Sequence, residues 1–305
     1  MTAIRAIPVF AAAMFATLPG EATYDANASH EMAARLVKEM AKRTAGGNMV
    51  FVRDVAYYPD GTKMDARGLA KCRLDFRYPK GVQGFRTLVW LHAGALDHGA
   101  RHWVPLADTN IAQVIVSYRL LGQEAKGGQD CIEDAAAAVA WALGNVAAYG
   151  GDPKRVYVAG LSAGAYLSMM VGMDPRWLAR WGRAPRELAG IVPISGQTTA
   201  HFNIRKYSGD RDPQFQPKID DLSPLRYVGE DIPPILSICG QPPWEWKARA
   251  EENRLLIASC KAMGNRNARY VELPFADHDR AMTCGLPYLE LFIRDALPAD
   301  LEEVK

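Results

Sequence analysis

The stretch VYVAGLSAGAY, residues 156 to 166, constrains this chain more than any other segment. Val156, Tyr157 and Val158 are β-branched or aromatic and read as a strand buried on both faces, whereas Ala163, Ala165, Leu167, Met169 and Met170 read as the start of a helix. Between the two stands Ser162, with Gly160 and Gly164 two residues to either side. A strand that turns sharply into a helix needs small residues there, because the two backbones pass closely, and the residue at the tip presents its side chain outward. The G-x-S-x-G pattern alone is weak. Its setting makes the Ser162 hydroxyl a candidate nucleophile rather than a structural turn serine, provided the chain also supplies a base and an oxyanion site.

The rest of the chain repeats the alternation of strand and helix. Residues 48–58 and 71–78 read as an antiparallel start, and 86–92 and 111–118 as nearly continuous apolar strands. An alanine-rich helix follows from about 130 to 149, then the nucleophile strand, a helix to about 172 and a strand at 188–195. A strand at 233–239, a helix at 247–263, a last strand at 269–273 and a closing helix at 286–297 complete the pattern. Such an order predicts an α/β fold with a mostly parallel central sheet and helices on both faces. Residues 197–232 are rich in polar groups, proline and glycine without periodicity, and read as a small cap insertion over the site.

With 305 residues, 49% hydrophobic and 23% charged, the chain has enough apolar material for one large core. A net charge of +2 offers no basic stripe, so nucleic acid is not expected as a partner. No G-x-G-x-x-G follows a strand, and no cofactor is expected. His98 and His102, at i and i+4, lack a third ligand at metal spacing, so no metal is expected either. Arg5 precedes an apolar run from Ala6 to Leu18, and small residues near Gly20 and Ala22 suit a signal peptidase, which makes residues 1–22 a candidate signal peptide. The protein is then expected to be secreted or periplasmic; if that segment is instead a buried or amphipathic helix, cytoplasmic. The run is short for a bilayer, so stable membrane insertion is not expected. Residues 23–47 read as an N-terminal helix and 48–305 as the main domain. Of the five cysteines, Cys239 reads as a buried free thiol, and a pair among Cys72, Cys131, Cys260 and Cys284 is compatible with a disulfide after export.

A serine requires a base at neutral pH, and imidazole has the suitable pKa. Of six histidines, only His278, in FADHD, falls in the loop after the last strand, where a parallel sheet delivers side chains to its carboxyl edge. The acid that orients it belongs in the loop after strand 233–239, where GQPPWEWK offers Glu245. Glu251 and Glu252 sit where they complement a helix N-terminus, and Asp277 and Asp279 flank the histidine itself. The turn WLHAGAL, residues 90–96, can aim the amides of Gly94 and Ala95 toward that of Ala163, forming an oxyanion hole, with His92 as a structural anchor.

HAGAL at 92–96, SYRL at 117–120, the segment 133–165 that ends in GLSAGA, and ADH at 276–278 resemble the α/β-hydrolase superfamily. More narrowly, they resemble its HGGG-bearing esterase branch, which includes hormone-sensitive-lipase-like enzymes, bacterial feruloyl and acetyl esterases, and arylformamidases. The resemblance covers roughly residues 70–298 and implies Ser162 as nucleophile, His278 as base and the amides of Gly94, Ala95 and Ala163 as oxyanion donors. It also implies a serine ester hydrolase acting on small-molecule or carbohydrate-linked esters, while the methyls of Ala93 and Ala95, where the branch has glycine, are expected to crowd the acyl side and favour short, acetyl-like acyl groups. The alternatives are a non-catalytic scaffold of the same fold that binds a ligand or partner, and an arylformamidase-type amide hydrolase. Two departures stand out: HGGG is His92-Ala93-Gly94-Ala95 here, and Pro243 stands near where the family's aspartate falls, leaving Glu245 as the substitute acid.

Overall fold

The computed structural model of the protein describes residues 48–297. The candidate signal peptide, the 23–47 helix and the end of the chain lie outside the described residues. Eight strands form one sheet in the order β1-β2-β4-β3-β5-β6-β7-β8. They are β1 Met49–Ala56, β2 Arg73–Pro79, β3 Phe85–Leu91, β4 Ile111–Val116, β5 Gly151–Leu161, β6 Gly190–Ile194, β7 Ile235–Gly240 and β8 Ala268–Leu273. β1 and β2 run antiparallel to their neighbours, and β3 to β8 pair in parallel. The helices are α1 Ala66–Lys71, α2 Gly128–Asn145, α3 Ala163–Met173, α4 Pro175–Ala179, α5 Phe202–Tyr207, α6 Arg249–Ala262 and α7 Arg280–Ile293.

The central strands are apolar throughout because both their faces are covered. Along β3, Val89 and Leu91 join the core on the side of α2 and α3, while Leu88 and Trp90 join the core on the side of α7. All four are fully buried, and each such side chain contributes roughly 1.5–3 kcal/mol relative to exposure. A rigid sheet results, and its carboxyl edge carries the loops that matter below.

Two sequence expectations change. The closing helix begins at Arg280 rather than 286, with Pro287 inside it; proline usually marks a first helical turn, and here packing of Leu286, Leu289 and Ile293 carries the helix through it. All five cysteines are free, so no pair forms the disulfide considered above. The segment 197–232 is ordered by its contacts: it carries α5 and a 3-10 turn at Pro224–Tyr227, and the Tyr166 hydroxyl on α3 donates to the Leu222 carbonyl at 2.6 Å.

Candidate active site

Ser162 sits between β5 and α3 with φ 55° and ψ −111°, a conformation that L-residues rarely adopt. At a helix N-terminus a serine normally turns its oxygen onto the first-turn amides; this geometry prevents it, and the Ser162 side chain makes no capping bond. The strain is held from both sides. The Ser162 amide donates to the Ile194 carbonyl of β6 at 2.8 Å. A methyl on Gly164 would lie 1.9 Å from the Leu91 carbonyl oxygen, and one on Gly160 would lie 2.4 Å from the Gly164 carbonyl carbon. Both glycines are therefore fixed by contact as well as by turn geometry.

The same contacts press the start of α3 against the end of β3, where the turn 92–96 begins. Gly94, Ala95 and Leu96 all have positive φ, at 119°, 48° and 68°. The Gly94 carbonyl accepts from the amides of Asp97 and His98. The amides of Gly94, Ala95 and Ala163 carry no protein acceptor among the described residues. His92 anchors the turn. It is buried, stacks on Tyr118 at 4.2 Å between ring centroids, and its Nδ1 donates to the Ala93 carbonyl at 2.6 Å. Burial holds its pKa down at about 4, so it stays neutral.

Glu245 and His278 meet, as the sequence led one to expect. Nδ1 of His278 lies 2.7 Å from Oε1 of Glu245, and both residues are at least nine-tenths buried. The carboxylate is saturated. Oε1 also accepts from the Trp246 amide at 2.8 Å, and Oε2 accepts from the Ser195 hydroxyl at 2.6 Å and the Gly240 amide at 3.2 Å. Burial would raise the carboxyl pKa, but the bond and charge of His278 together with these donors outweigh it and bring it down to about 2. The rival acids are engaged elsewhere: Glu252 binds Thr198 and Thr199, Asp277 caps the Arg280 amide, and Glu251 and Asp279 are exposed.

Sequence reasoning did not anticipate Ser195, which follows directly on Ile194 and so links the strand that holds the Ser162 amide to the Glu245 carboxylate. It missed Asn203 too, whose side-chain amide donates at 2.8 Å to both the Ala95 carbonyl and Asp97, tying the insertion to the turn. Trp246 stacks on the His278 ring at 4.7 Å and lies 5.9 Å from Phe202. The only signal for these was position at strand ends or in the insertion. His98 and His102 sit in the exposed loop, and no cluster of three metal-ligating side chains occurs among the described residues.

Residues 74–177 match the BD-FAE family model. The esterase LipC of Mycobacterium tuberculosis is 26% identical over 232 residues, covering 63% of this chain and 52% of that protein, so the chain spans about half of that relative's length. Among solved structures, a truncated carbohydrate esterase from gut microbiota aligns with a TM-score of 0.64 at 18% identity, over 81% of this chain and 96% of that one. Esterase B from Lactobacillus rhamnosis aligns with a TM-score of 0.61 at 17% identity, over 88% and 96%. These structural likenesses speak to the fold. The sheet order, the strained serine between β5 and α3 and the likeness to these structures agree on an α/β-hydrolase fold, and in sequence the chain is similar to esterases.

Proposed function

We propose that this protein is a serine carboxylic ester hydrolase that works through an acyl-enzyme and prefers short, acetyl-like acyl groups. The observation that carries the reading is the buried pair of His278 and Glu245 at 2.7 Å, with Glu245 joined through Ser195 to the strand that holds Ser162.

In this reading Ser162 Oγ attacks the ester carbonyl carbon while His278 Nε2 takes its proton. The Nδ1–H stays on Glu245, whose negative charge stabilises the imidazolium. The amide of Ala163 and an amide of the 94–95 turn donate to the developing oxyanion, preorganised by the positive φ of that turn. Collapse expels the alcohol, which takes the proton from His278, and water then repeats the sequence to release the acid. Ala93 and Ala95 place methyl groups where the resembled branch has glycine, which favours small acyl groups. The export reading of residues 1–22 stays part of the proposal and points to extracellular, for example carbohydrate-linked, esters.

A fluorophosphonate probe is expected to label the wild type at Ser162, and Ser162→Ala is expected to lose labelling and more than about 10⁴-fold in kcat on 4-nitrophenyl acetate. A non-catalytic scaffold predicts neither labelling nor turnover. Turnover by Ser162→Ala near the wild-type rate removes the nucleophile assignment.

A further inference from the structure

Three arginines are buried among the described residues, and two are matched by acids. Arg119 pairs with Asp134 at 2.7 Å, and Arg205 pairs with Asp210 at 2.8 Å. Arg249 is 6% exposed, yet its guanidinium has neither a hydrogen bond nor an ion pair among the described residues. Its one ring contact is with Trp246, the indole that stacks on His278; the guanidinium carbon lies 5.9 Å from the indole centroid.

A buried, unpaired cation is unfavourable, and its place makes it more so. Arg249 is the first residue of α6, at the positive end of the helix dipole. The preceding Ala248 is left-handed, at φ 62°, and gives no side-chain cap. Nearby acids do not compensate through contact: Glu252 spends its oxygens on Thr198 and Thr199, and Glu245 is saturated by His278, Ser195 and two amides. Burial accordingly lowers the pKa of the guanidinium, and its charge helps to depress that of buried His201 in the insertion.

We propose that Arg249 recognises an anionic group on the substrate, and that the preferred esters carry a carboxylate placed one indole width from His278. A planar guanidinium offers a carboxylate two parallel N–H donors, and desolvation strengthens the contact. Here the anion arrives with the substrate and completes the pairing that the fold leaves open. The inference rests on the ester-hydrolase reading above.

Two matched pairs of substrates test it by pH-stat and locate the anion. Monomethyl succinate against methyl butyrate puts the carboxylate on the acyl half; 4-acetoxybenzoate against 4-acetoxybenzamide puts it on the alcohol half. In at least one pair the wild type is expected to favour the anion by about 10- to 100-fold in kcat/KM, and Arg249→Met to bring that ratio near one. Arg249→Lys, which keeps charge but not the two-pronged donor, is expected to fall between and serves if the methionine variant does not fold. A purely structural role shifts the Tm of Arg249→Met and leaves both ratios unchanged; ratios unchanged within about two-fold overturn the inference. If the wild type turns over none of these esters, it is the hydrolase reading that has failed. Calorimetric binding of 4-acetamidobenzoate against 4-acetamidobenzamide then judges the anion site alone: Arg249-dependent preference for the carboxylate upholds it, and equal binding overturns it.

Discussion

Glu245→Gln removes one charge at nearly constant shape, and the surroundings dictate how the new amide will turn. Five hydrogen-bond donors face the carboxylate: the His278 ring and the Trp246 amide on Oε1, and the Ser195 hydroxyl, the Gly240 amide and, at 3.7 Å, the Cys239 thiol on Oε2. The NH₂ group of glutamine is repelled by any donor that cannot reverse. A hydroxyl can turn and accept, whereas a backbone N–H cannot. The NH₂ is therefore expected at the Oε2 end, against Ser195, with the carbonyl kept on His278 Nδ1. In that orientation the tautomer of His278 survives and only the charge that supports the imidazolium is lost. An amide in this role that also imposes the wrong tautomer lowers kcat by about 10⁴; the retained tautomer reduces the expected loss to about 10²–10³, or ~2.7–4 kcal/mol. The Gly240 amide then opposes a donor, which costs about 1–3 kcal/mol of stability. Initial rates on 4-nitrophenyl acetate and urea denaturation give both quantities, with KM expected to change little. A kcat within about three-fold of wild type refutes the assignment of Glu245. A full 10⁴-fold loss refutes the argument about the amide's orientation, and with it the role given to the Ser195 hydroxyl.

Ala95→Gly relieves a left-handed alanine and keeps the amide donor, so the variant is expected to gain up to about 1 kcal/mol of stability and to hold kcat on acetate. Its ratio of kcat/KM for 4-nitrophenyl hexanoate over acetate is expected to rise about 10- to 200-fold if the methyl reads acyl length; an unchanged ratio assigns that role to the insertion. Burial pushes His92 down to about 4, and burial with the charge of Arg249 pushes His201 down to about 3, both from 6.5. Below pH 6.5 the unfolded chain takes up protons that these two sites refuse, so stability is expected to fall from pH 6.5 toward 4 and to be insensitive to them above 6.5; at ~1.4 kcal/mol per pH unit per site, the loss at pH 4.5 is about 5 kcal/mol. Urea denaturation at pH 7 and 4.5 reads it, and a difference under about 1 kcal/mol contradicts the buried, neutral state of both rings.

Much of the sheet, and those parts of the candidate site that local rules govern, can be read from the residues alone. Continuous apolar runs such as FRTLVWL and IAQVIV can only be strands covered on both faces, and they became β3 and β4. The turn at Ser162 was legible because it needs glycine at two fixed offsets, and His278 and Glu245 because a parallel sheet gathers its loops at one edge. What the sequence could not carry was partnership across strands. Ser195 reads as the tail of an apolar strand, and only the placing of β6 between β5 and β7 sets its hydroxyl on Glu245. Four other acids stood near in sequence, Glu251 and Glu252 after Glu245 and Asp277 and Asp279 beside His278, and the folded loops distinguish them by where each carboxylate finds donors. Arg249 reads as an ordinary charge at the start of a helix. The packing of α6 beside Trp246 buries it without a counter-ion, since burial and pairing are properties of the assembled surroundings and have no period or spacing to betray them.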